Sequence, residues 1–147
     1  MSLRAARSGT TAVEFALVAP LFLMFLFGTV EFGRLLWTRE ALQQSAIAGA
    51  RCMALAQGAV QNSPCSSSGS YSASTTKSYI QSIAGGWGLS LPVSAITLDN
   101  NATCASTAGF SQVTITYTFT SVAPKIVLLP VGGANLSLTA CSPNNTY

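Results

Sequence analysis

Apolar residues crowd one end of this chain and alternate with polar ones at the other. Residues 15–30, sixteen in a row, carry no charge and are nearly all Ala, Val, Leu, Phe or Met. Counted from Thr10 to Val30, the segment has 21 residues, about the ~20 that a helix needs to cross a ~30 Å hydrocarbon core. Residues 31–57 contain no proline and are rich in Ala, Leu, Gln, Arg and Glu, so the helix is expected to run on. Leu35, Leu42, Ala46, Gly49 and Met53 recur along one side of it; Glu40, Gln44 and Arg51 fall opposite, and Arg39 interrupts the stripe at its edge. Ala46 and Gly49 are small enough for a partner helix or sheet to come close. Gly58 is a natural residue to end the helix. Such a helix is about 70 Å long at 1.5 Å per residue. Pro20 removes one of its backbone hydrogen bonds and is expected to kink or loosen it.

The pattern then changes. Residues 58–78 are crowded with Ser, Gly and Asn, which predicts a surface loop. A short helix is expected over residues 75–84, with Tyr79, Ile80 and Ile83 inward, Gly85 ending it and a turn around Trp87. Val113, Ile115, Tyr117 and Phe119 alternate with threonines, a period-two strand. Leu136, Leu138 and Ala140 alternate in the same way with Ser137, Thr139 and Cys141. Residues 93–98 form a weaker third strand before the turn-prone Asp99, Asn100 and Asn101. Residues 124–130, an apolar run between prolines, read as a loop over a sheet edge. The expected fold is α+β: a long N-terminal transmembrane helix continuing into a helix packed on a small antiparallel β-sheet.

Composition narrows the setting. Only 7% of the residues are charged and the net charge is +3. Beyond Cys52 the charges are Lys77, Asp99 and Lys125 alone, so no basic patch exists for nucleic acid. Four cysteines, Cys52, Cys65, Cys104 and Cys141, have no C-x2-C spacing, and the chain has no histidine, which argues against a metal site. Two disulfides in an oxidising compartment are expected, with three pairings open. Arg4 and Arg7 ahead of the apolar segment place the N-terminus on the cytoplasmic side. The run continues without a small-x-small cleavage site into Glu31 and Phe32, which favours an anchor over a removed signal peptide.

The inventory leaves little room for catalysis. Glu31 and Glu40 lie on the helix and Asp99 in a turn, with no pair of titratable groups for general acid–base work. No serine has a nucleophile elbow, and the glycines around Trp87 lack the lysine and helix start of a phosphate loop. No cofactor is implied. The exported part is built to be a shape.

Glu14 breaks the apolar run, where an ionised side chain costs about 2.5–3.5 kcal/mol at mid-membrane and less toward the interface. It stands five residues after Gly9. A polar leader ending in glycine, then four residues, then Glu14-Phe15 and an apolar run resembles type IV prepilin-like signals. That resemblance implies cutting between Gly9 and Thr10 and a fifth-residue carboxylate that a neighbouring subunit's free amine neutralises during assembly.

Residues 7–51 resemble the TadE-like pseudopilins of tight-adherence (Flp-type) pili. The likeness rests on Gly9, residues 12–17 (AVEFAL), Pro20, residues 31–34 (EFGR), Ala46 and residues 49–51 (GAR). The two strands at 113–119 and 136–140 are similar to the family's C-terminal part, less specifically. The resemblance implies a pilin-like α+β fold and a minor pilin processed by a prepilin peptidase, with other pilins or pseudopilins and the inner-membrane pilus assembly machinery as partners. It also implies a single-pass inner-membrane protein with its C-terminal domain periplasmic, able to enter an extracellular pilus. The regions expected are a leader at 1–9, a transmembrane and assembly helix at 10–57, with its membrane part at about 10–30, and a periplasmic domain at 58–147. Thr10 departs from the bulky first residue of ordinary type IV pilins. The competing reading is an anchored periplasmic partner-binding protein that never enters a filament.

Overall fold

The computed structural model describes residues 7–58, 62–121 and 133–144. Its backbone is one helix, α1 (Arg7–Gln57), of 51 residues that passes through Pro20 without a break. At 1.5 Å per residue it is about 77 Å long. Only its second half has a core to face. There Leu42, Ala46, Gly49 and Met53 are buried, as the sequence pattern predicts, while Leu35 of the same stripe is half-buried; Ala50, Ala41 and Ser45 are buried beside them. Ser45 is satisfied by donating to the Ala41 carbonyl at 2.8 Å.

The small residues are there because a second helix, α2 (Ala73–Gly86), comes very close. A Cβ on Gly49 would stand 2.5 Å from Cγ1 of Ile80, well inside van der Waals contact. Ser72 caps α2 by accepting from the Thr75 amide. Its buried residues are Thr76, Ile80 and Ala84. The expected inward trio of Tyr79, Ile80 and Ile83 is thus corrected: Tyr79 and Ile83 are half-buried. At so short a helix–helix distance the small side chains of Thr76 and Ala84 take the contact line beside Ile80.

The serine-rich stretch is more ordered than a loop. A two-stranded hairpin, β1 (Ser66–Ser67) and β2 (Ser70–Tyr71), lies inside it. Ser68 and Gly69 turn it with φ of +53° and +79°, the left-handed pair that tight hairpins use.

The main sheet has three antiparallel strands, β3 (Ile96–Cys104), β4 (Thr107–Thr118) and β5 (Asn135–Pro143), in sequence order. Register sets Leu98, Val113 and Ala140 in one inward row and Ile96, Ile115 and Leu138 in the next. Those rows pack against α1 and α2 to make the core. Outward rows are polar, as in Thr97–Thr114–Thr139. One expectation fails here. Asp99, Asn100 and Asn101 stay within β3, where the register slips between Asp99 and Ala102 and the Asn101 amide donates to Asp99 Oδ1 at 3.0 Å. The turn falls at Ala105 and Ser106 instead, and a short 3-10 turn (Val93–Ala95) occupies the first half of the expected strand. The run at 124–130 lies outside the described residues.

Candidate assembly surface

The first half of α1 leaves the globular part entirely. The most apolar 18-residue window of the helix is long enough to cross a membrane, and none of it is buried. Phe15 and Phe25 are 74% and 76% exposed. In water this surface would be prohibitive: each large apolar side chain left uncovered forgoes about 1.5–3 kcal/mol. Its solvent is therefore lipid or other protein, and the chain has one N-terminal apolar helix able to serve as an anchor.

At the lower end of α1, Gly9, Thr10, Glu14 and Phe15 all lie on exposed helical turns. Thr10 and Glu14, four apart, share a face, and Phe15 projects from the next. A Cβ on Gly9 would meet nothing within 4 Å. No acid but Glu14 lies on the helix between Arg7 and Val30.

Where α1 meets the globular part, Glu31 is buried and Arg34 Nη1 donates to its Oε1 at 2.9 Å. The Arg34 guanidinium also lies 5.5 Å from the centroid of the Phe119 ring, a cation–π contact. Phe119 is buried and exchanges backbone bonds with Gly133 and Ala134, at 3.0 and 2.9 Å. One turn beyond Arg34, Trp37 meets Trp87 edge to face, with centroids 5.3 Å apart. In the sequence Glu31 stands as an acid on the helix and as part of the EFGR likeness, not as one half of an ion pair. The i,i+3 spacing to Arg34 was a usable signal for the pair; nothing in the sequence brings residue 87 to residue 37.

Two disulfides select one of the three possible pairings. Cys52–Cys65 is buried and ties the β1–β2 hairpin to the top of α1. Cys104–Cys141 joins β3 to β5 with Cys141 exposed, and Gln112 of the strand between them reaches both sulfurs. Tyr71 packs against both cores; burial pushes its phenol pKa up, and the Thr76 side chain pulls it the other way. At the far end Gln57 donates to Ser111 at 2.7 Å, and Asn144 donates to the Asn100 carbonyl at 2.9 Å.

Among known families, the model of the TadE-like protein family aligns with residues 9–51. No curated protein and no solved structure matches the chain. The match begins at Gly9, runs through Glu14 and the bare helix, and ends at the exposed Arg51, just past Gly49. That family is one of pilus structure and assembly. The bare apolar helix and the first part of its buried continuation, residues 9–51, are thus similar to the TadE-like protein family.

Proposed function

We propose that this chain is a minor pilin, or pseudopilin, cut after Gly9 by a prepilin peptidase and built into or onto an adhesive pilus through α1. One observation carries the reading: half of a 51-residue helix is bare, and its first turns hold a single carboxylate, Glu14. A carboxylate alone in lipid is costly. Beside the α-amine of another subunit it becomes a charge-assisted pair and sets the register of neighbouring helices. Before assembly the same helix holds the protein in the inner membrane, with residues after about Val30 in the periplasm. The cysteine pairs suit that oxidising compartment.

Mass spectrometry of sheared pili tests this directly. The expected result is a peptide from this chain that starts at Thr10. Recovery from membranes alone, with Met1 intact in cells whose prepilin peptidase is active, would favour the stationary anchor and sink the minor-pilin reading.

A further inference from the structure

Just above the bare segment, α1 and the turn after α2 enclose an open groove of about 470 Å³, lined by Val30, Gly33, Arg34, Trp37, Trp87 and Leu89 among others. Trp37 is 58% exposed, more than any other large apolar side chain beyond Val30 among the described residues, and Trp87 is 39% exposed. Rings recruited only to close a core are covered, as Phe119 is at 2%. This pair is not.

Height decides what covers it. Trp37 is seven residues beyond Val30, a rise of about 10 Å. Helical side chains lean back toward the N-terminus, which lowers its ring toward the bare segment. The headgroup layer on each side of a bilayer is about 5–8 Å thick, so the groove mouth stands at that depth when α1 spans the core. Indole suits this layer, having an apolar body and one N–H donor. Trp87 packs edge to face on Trp37 and is flanked by Gly85, Gly86 and Gly88, where an added Cβ would meet nothing within 4 Å, so the turn around it is open. The groove's one charged lining residue is Arg34, 43% exposed, which spends one N–H on Glu31 and keeps others to donate. A cation and two indoles, contiguous with the lipid-facing wall at Val30, match phospholipid headgroups.

We propose that the Trp37–Trp87 groove seats the α+β domain on the headgroup layer of the membrane that α1 crosses, with Arg34 facing lipid phosphate. This rests on the anchored state in the proposed function and adds a second, peripheral contact to it.

The two rings are the chain's only tryptophans, so its own fluorescence reports on them. Full-length protein is placed in vesicles of phosphatidylglycerol and phosphatidylcholine, with part of the latter brominated near the carbonyl or near the chain end. In the Trp37→Phe variant, Trp87 emission should lose most of its intensity to shallow bromine, less to deep bromine, and be shielded from acrylamide in the water. Unsubstituted protein should give the same ordering. Equal emission with and without bromine, or free access for acrylamide, overturns the proposal. Protection that arises only on adding other pilus proteins overturns it too. Phe22→Trp in a chain with both tryptophans changed to Phe separates the two ideas. Strong quenching there by deep bromine, with none at Trp87, leaves the anchor standing and removes the groove; no quenching at either removes both.

Discussion

Residues 13–30 and 31–56 of α1 share one backbone and hold four leucines each, yet they live in different solvents. Leu21 is 69% exposed and Leu42 is fully buried, and no propensity scale distinguishes them. What differs is the spacing of small and polar residues. Beyond Glu31 a strip of Ala and Gly opens one side of the helix to α2 and the sheet. Below it, bulky residues surround the helix on all sides, the mark of a segment meant for lipid or for other helices. A single helix can therefore carry two separable tasks, fold stability above and association below.

The greatest expected effect lies in the lower half. Glu14→Ala should leave cutting after Gly9 intact, measured by the mature N-terminus, and nearly abolish recovery in sheared pili. Normal incorporation would dismiss the register role. Next comes the leucine contrast: Leu42→Ala should cost about 2–5 kcal/mol in denaturant unfolding of the globular part. Leu21→Ala should leave that transition in place. A loss common to both would break the division of the helix.

Removing the buried bridge with Cys52→Ala and Cys65→Ala opens a loop of sequence separation 13. Chain entropy puts the loss near 3 kcal/mol for a loop of this size, and a changed urea midpoint would measure it. Two glycines sharpen the contrast further. Gly33→Ala, where a new Cβ meets nothing, should stabilise by about 0.5–1 kcal/mol. Gly49→Ala gains the same propensity but drives a methyl into Ile80, and overpacking of about 1–3 kcal/mol should win. Opposite signs on one helix, read as thermal midpoints, are the expected result.

The smallest effect is electrostatic. Burial raises the Tyr71 pKa above its ordinary value of 10.0, so folding favours the neutral phenol. That stabilisation is complete below pH 10 and is lost as pH climbs through the higher folded value. Tyr71→Phe should flatten the decline in alkaline unfolding curves.

Much of this architecture was legible beforehand, and the reasons are local. The bare helix announces itself by length, and β4 by the strict alternation from Val113 to Phe119. Gly49 was readable as a place of close approach, though its partner, Ile80, was not. The failures share a cause: they depend on contacts between distant residues. Asp99, Asn100 and Asn101 favour a turn on their own, but pairing with β4 holds them in a bulged strand. Ser68 and Gly69 hid a hairpin in serine-rich sequence because the Cys52–Cys65 bridge, not composition, holds it in place. For the candidate site, Gly9, Thr10, Glu14 and Phe15 were singled out through their resemblance to prepilin-like signals, whereas the Arg34–Phe119 and Trp37–Trp87 contacts need the whole fold.

The unbroken run of α1 through Pro20 to Gln57 has a mechanical corollary. A tug at the lower end of such a rod reaches the globular part as shear along the rod's axis. Leu42, Ala46, Ala50 and Met53 then bear load together and do not peel away in turn. The Cys52–Cys65 bond rivets the top of the rod covalently, so slippage would have to drag the hairpin with it. Towing by its own stem is thus the direction in which this fold is hardest to pull apart.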